Sequence, residues 1–170
     1  RKNFQEMLTT KPETLSDFLM WQVRFLELSE EEQKIAEEII GDMNEDGYLQ
    51  ASAEEIAQAC QTSPEAVEKV LGQIQTLDPP GIGARNLQEA LLIQLRKKDD
   101  AALAIEIVAH HLPLLEKRDI AGLARTLAAD AEKIKKAVSL ISRLEPKPGR
   151  TFYAEEALAV TPDATVSVAE

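Results

Sequence analysis

Asp42, Asn44, Asp46 and Gly47 follow the order of the first half of a calcium loop, where oxygen ligands alternate before a glycine turn. Leu49 adds the apolar residue that often follows such a glycine. The twelfth loop position must bring a bidentate glutamate, but here it is Ala53, with Glu54 one residue late. One residue turns a helical side chain by about 100°, so Glu54 does not stand in for it. Ser52 and Glu55 have the spacing of a capping box, which makes 42–55 a turn leading into a helix rather than a metal site. Other reactive groups are sparse. His110 and His111 are adjacent, point to different sides of a helix and do not share a metal. Cys60 is the single cysteine, excludes an internal disulfide and sits on an apolar helix face as a small core residue. Gly81 and Gly83 form a G-x-G before a helix, without the strand, third glycine or lysine that a nucleotide site needs. No nucleophile, base and orienter are suitably spaced. The sequence therefore has no catalytic residues, no metal ligands and no cofactor, and does not read as an enzyme.

The elements that carry these residues are helices with well-marked starts. Thr14, Ser29, Ser52, Ser63 and Asn86 stand at N-cap positions before apolar patterns of helical spacing, and Ser29 with Glu32 and Asn86 with Glu89 repeat the capping-box spacing. Pro64 follows Ser63 as a first-turn proline. The pattern predicts helices near 14–27, 29–43, 52–61, 63–77, 86–97, 99–112, 119–128 and 130–144, with strand signals nearly absent before residue 158. This is an all-α chain. Its 170 residues suffice for one domain or two small ones, and 44% hydrophobic with 29% charged residues is an ordinary soluble balance. No apolar run approaches the ~20 residues of a membrane span, and the first residues lack the apolar core of a secretory signal. An opening Arg1 is expected of a piece cut from a longer protein.

Residues 56–79 align without gaps on 123–146, with Ala57 on Ala124, Glu65 on Glu132, Lys69 on Lys136, Leu77 on Leu144 and Pro79 on Pro146. Each copy reads as a short helix, a tight turn and a longer helix stopped by proline, a helix-turn-helix pattern used twice. Between them, Pro79 and Pro80 end one helix, Gly81 and Gly83 let the backbone reverse, and Arg85 leads into the next helix. The expected architecture is two helical bundles, each with a helix-turn-helix-like unit, joined by a proline–glycine elbow at Pro79, Pro80, Gly81, Gly83 and Arg85. A linker occupies 1–13, an acidic subdomain 14–78, a second subdomain 79–150 and a short extended tail 151–170.

Charge separates the halves. Residues 1–78 hold 6 Lys and Arg against 17 Asp and Glu, the whole of the net charge of −11, whereas 79–170 hold 13 of each. An acidic front half repels nucleic acid and favours basic protein surfaces. The first recognition-like helix, 64–76, carries net −1 and is a poor DNA reader. The second, 131–143, carries net +3, which makes Lys133, Lys135, Lys136 and Arg143 candidate phosphate contacts. Two alternatives follow from these features: a DNA-binding regulator using 131–143, and an EF-hand-like calcium-binding helical protein.

Taken together, "TLSDFLMWQVRFLELSEEEQKIAEEIIGDMNEDGYL" (14–49), "LDPPGIGARNLQEALLIQL" (77–95), "LEPKPGRTF" (144–152) and "VTPDATV" (160–166) resemble the central, core-polymerase-binding region of the sigma-54 family of bacterial transcription factors. They span nearly the whole chain in the family's order, and PPGIGAR between amphipathic helices is the most specific. Ala90 stands where the family often carries a cysteine. The resemblance implies a cytoplasmic bacterial sigma-factor part that binds core RNA polymerase, with an ATP-dependent activator acting on the full complex. It also implies that the glutamine-rich activator-contacting segment and the basic promoter-reading box lie outside this chain, so promoter DNA is met through missing regions. Charge, not the resemblance, assigns the polymerase-facing surface to Glu30, Glu31, Glu37, Glu38, Glu54 and Glu55; the resemblance implies that the surface they meet lies around the beta flap of the enzyme.

Overall fold

The computed structural model describes residues 14–153, which hold nine α-helices, a further helical stretch from 148, and no strand. They are α1 Leu15–Val23, α2 Glu30–Gly41, α3 Ala53–Cys60, α4 Pro64–Ile74, α5 Leu87–Arg96, α6 Ala102–His110, α7 Leu112–Glu116, α8 Ile120–Leu127 and α9 Ala131–Ser142. Caps start them where expected. Thr14, Ser29, Ser52, Ser63 and Asn86 each accept a hydrogen bond from a first-turn N–H, and Ser29 with Glu32 and Ser52 with Glu55 close reciprocal capping boxes. These bonds satisfy donors that a helix start otherwise leaves to water.

Several boundaries differ from expectation. The first helix ends at Val23, not 27, and residues 24–26 form a turn. The helix expected from 99 begins at Ala102, because Asp100 takes a positive φ of 54° that no α-helix accommodates. That helix also stops at His110, and a separate one-turn helix, α7, follows with Pro113 in its first turn, where the missing N–H costs little. The tail expected as extended from 151 is helical over 148–153; its remaining residues, 154–170, lie outside the described range, as does the 1–13 linker.

Buried side chains fall into two large clusters. The first joins Leu19, Ile35, Ile39, Ile56, Val67, Leu71 and Ile74 from α1–α4; the second joins Leu95, Ile107, Val108, Leu123 and Ile134 from α5, α6, α8 and α9. The aligned segments repeat in three dimensions. Gln61 ends α3 at φ 56°, ψ 49°, and its counterpart Ala128 ends α8 at φ 51°, ψ 47°. The following N–H, of Thr62 or Ala129, returns to Ala57 O at 2.9 Å or Ala124 O at 3.1 Å.

The likeness reaches further back than the helix-turn-helix. Thr14, Leu15, Asp17, Leu19, Gln22 and Arg24 of α1 and its cap correspond to Asn86, Leu87, Glu89, Leu91, Gln94 and Arg96 at α5. Each glutamine holds the peptide group of the acid that precedes the proline closing its own unit. Gln22 Nε2 donates to Asp78 O at 2.7 Å and Gln22 Oε1 accepts from Asp78 N at 2.9 Å. Gln94 does the same to Glu145, at 2.7 and 2.8 Å.

Candidate functional site

Three loops distant in sequence meet between the two clusters. Leu49 N donates to Ala84 O and Gly83 N to Gly47 O, both at 2.9 Å, and Gly149 N donates to Asp46 O at 2.8 Å. Arg150 Nε donates to Asp46 Oδ1 at 2.6 Å, and the Tyr48 hydroxyl donates to Pro146 O. Asn44 Oδ1 accepts from the N–H groups of Asp46 and Tyr48. The acidic loop at 42–49 thus spends its oxygens on the protein itself, as a turn does.

The elbow residues occupy the middle of this junction. Pro79, Gly81, Ile82, Gly83 and Ala84 are buried, while Pro80 and Arg85 are exposed. Gly81 takes φ +96°, a region side chains rarely adopt, and a Cβ there would stand 2.8 Å from Pro148 Cγ. Arg85 bridges the units: its guanidinium pairs with Glu68 of α4 at 2.7 Å and with Glu89 of α5 at 3.1 Å. Hydrogen bonds to Glu89 and Glu68 raise the Arg85 pKa. Burial alone would raise that of Glu89, but the hydrogen bonds and charge of Arg85 outweigh it and leave the carboxyl below its usual value. A lowered carboxyl pKa stabilises the fold fully above the unfolded-state value, and that contribution drains away as pH falls through the folded-state value. Thermal melting between about pH 7 and pH 3 is therefore expected to fall more steeply for the natural chain than for Glu89→Gln. Parallel profiles would remove the Arg85 clamp as a source of acid sensitivity.

The six candidate acids divide. Glu30, Glu31 and Glu37 are exposed and Glu38 half-buried on the face of α2 opposite its buried Ile35, Ala36, Ile39 and Ile40. Lys34 lies within that face by its helical position. Glu54 and Glu55 begin α3, and the Glu55 carboxylate is turned onto Ser52 N at 2.8 Å. Among the described residues none of the six is ion-paired; the neighbouring Glu32 is, with Lys69 at 3.1 Å.

The basic candidates also divide. Lys133, Lys136 and Arg143 line one groove beside α6, whereas Lys135 is paired with Glu132 at 3.5 Å. Trp21 lies on the first helix, α1. The indole packs in a ladder of Phe18, Trp21 and Phe25 that Phe152 extends by stacking on Phe18, but it is 49% exposed and Phe25 73%.

The family described as "Sigma-54 factor, core binding domain" matches residues 4–170. The chain belongs to this family. It is 39% identical over 166 residues to the RNA polymerase sigma-54 factor of Acidithiobacillus ferridurans, covering 95% of this chain and 35% of that protein. It is 38% identical over 166 residues to that of Pseudomonas aeruginosa, covering 93% and 33%, and 36% identical over 161 residues to that of Escherichia coli, covering 91% and 34%. This sigma-54 domain thus spans about a third of the length of the curated relatives it matches.

Several residues of this core-binding domain had no signal in sequence order. Gln22, Gln94, Gly149 and Arg150 acquire their roles from partners 51 to 104 positions away. The matched glutamines of α1 and α5 were the one clue available, since a polar residue recurring among apolar helix positions needs a hydrogen-bond partner. Cys60 packs half-buried against the first cluster, and burial raises its thiol pKa. His111 lies 3.9 Å from Glu106, and no group of metal-ligating side chains occurs among the described residues. No helix among them is long and apolar enough to cross a membrane.

Proposed function

We propose that this chain binds core RNA polymerase as the core-binding part of a sigma-54-type transcription initiation factor, a non-catalytic role in the bacterial cytoplasm. The match of the core-binding family across residues 4–170 carries this reading. In it, the α2 face with Glu30, Glu31, Glu37 and Glu38, together with Glu54 and Glu55 of α3, meets a basic surface around the beta flap. Four acids on one helix face, unpaired among the described residues, suit a partner of opposite sign. Pro79, Pro80, Gly81, Gly83 and Arg85 set the two units relative to each other, so that both are presented together. Promoter recognition and response to an ATP-dependent activator belong to other parts of the full factor.

Affinity of the 170-residue chain for purified core polymerase tests the reading directly. Glu31→Lys, Glu37→Lys and Glu38→Lys together are expected to weaken binding by about tenfold or more at low salt and to flatten its salt dependence. Glu55 is left out because its carboxylate is a helix cap, and losing it would mix stability with binding. Unchanged affinity in the triple variant would remove the electrostatic contact; no binding by the natural chain would remove the function.

A further inference from the structure

The second unit carries a groove of about 500 Å³ between α6 and α9. Its floor is apolar, formed by Leu103, Ala137 and Leu140, and its rim is cationic, formed by Lys133, Lys136 and Arg143. Asp100 is the one acid that lines it. Among the described residues, neither it nor any of the three cations enters an ion pair. Arg143 continues into an adjoining depression with Lys97 and Lys98, lined also by Glu145 and by Pro80 of the elbow, so a surface with more cations than acids extends beyond α9.

The internal repeat shows what this position does elsewhere in the same chain. Lys136 corresponds to Lys69. In the first unit α2 packs on α4, as α6 packs on α9 in the second, and Lys69 meets the Glu32 carboxylate of α2 at 3.1 Å. Helix α6 brings no such group: its single acid, Glu106, lies toward His111. The first unit therefore completes the pairing internally, and the second sets three cations, unpaired among the described residues, against the single acid Asp100 above a recessed apolar floor.

Resting on the reading that the chain binds core polymerase, we infer that the α6–α9 groove receives an acidic, apolar-anchored segment of that enzyme. Its carboxylates take the place at Lys136 that Glu32 takes at Lys69, and its apolar side chains cover Leu103 and Leu140. A phosphate backbone would use the rim and leave the floor empty, whereas an amphipathic segment uses both. The chain then grips polymerase with surfaces of both signs, acidic on α2 and basic on α9.

Core-polymerase affinity of the chain carrying Lys133→Ala, Lys136→Ala and Arg143→Ala is expected to fall by about tenfold or more, with a shallower salt dependence. Leu140→Ser keeps every charge and is expected to weaken binding by about threefold or more, while Lys133→Arg with Lys136→Arg retains it. Circular dichroism melts identify any variant that has lost its fold, and the exposed lysine changes are expected to leave melting unchanged. If natural and triple-variant chains bind polymerase equally while the α2 reversals still weaken it, the groove inference fails and the proposed function stands. If the triple change instead abolishes binding to a 20-base-pair duplex and spares polymerase, the groove serves DNA and the inference is overturned. Equal binding by Leu140→Ser and the natural chain would remove the apolar anchor.

Discussion

Replacing Gly149 by alanine is expected to lower the melting temperature by roughly 5–10 °C, a loss of about 2–3 kcal/mol. The reason is backbone meeting backbone. A Cβ on Gly149 would overlap Glu45 O and stand 2.7 Å from both Asp46 C and Gly47 N. None of these atoms moves by rotating a side chain. The loop cannot retreat cheaply either, because Gly149 N is bonded to Asp46 O and Gly47 O to Gly83 N. Gly47 itself has φ +89°, which leaves little freedom to rebuild the turn around a larger neighbour. Gly72→Ala in α4 is the contrasting control: nothing lies within 4 Å of its added Cβ, and it is expected to stabilise by roughly 0.5–1 kcal/mol. A Gly149→Ala melt indistinguishable from the natural chain would show that the three loops do not approach as described.

The two glutamine clasps offer a second large effect with an internal comparison. Gln94 is 7% exposed, and its side chain makes three hydrogen bonds, to Ala90 O and to both backbone groups of Glu145. Gln94→Leu keeps the bulk but leaves the part-buried backbone groups of Glu145 without their partner, at an expected cost of about 2–3 kcal/mol in urea unfolding. Gln22→Leu removes the same pair of bonds to Asp78 where water can replace them, and is expected to cost under about 1 kcal/mol. The identical chemistry is thus worth different amounts in two places. Equal losses at the two sites would mean that solvent access does not set the strength of the clasp.

What sequence order made legible here was local. Caps at Ser29, Ser52 and Asn86 bond to groups three residues away, so their signals survive without knowledge of the rest of the chain. The gapless alignment of 56–79 on 123–146 carried through to matching left-handed caps at Gln61 and Ala128. Its extension to α1 and α5 escaped because the spacing between helix and helix-turn-helix differs in the two units, which breaks a single-offset alignment. The missed α7 and the late start of α6 have the same origin in a stretch without side-chain caps, where Asp100 and Pro113 decide the boundaries.

The acidic candidates show the limit at the site. Charge grouped Glu30, Glu31, Glu37, Glu38, Glu54 and Glu55 into one surface, but gave no means to see that Glu55 is turned onto its own cap. Among the basic residues, net charge grouped Lys135 with Lys136, while the structure pairs the first with Glu132 and sets the second in a groove. Lys97 and Lys98, far away in sequence, adjoin that groove through Arg143.

By itself the amino-acid order determined an all-α chain, where most helices begin, which helix faces turn inward and that glycines at 47, 81 and 83 mark reversals. Periodicity and capping act within one turn of helix, so they are readable one segment at a time. Only the tertiary structure decided that the 42–49 loop, the elbow and 146–150 close on one another, and which cations are left without a carboxylate. Those outcomes depend on pairings across long loops, whose closure is set by the packing of both clusters together and leaves no mark in the local pattern.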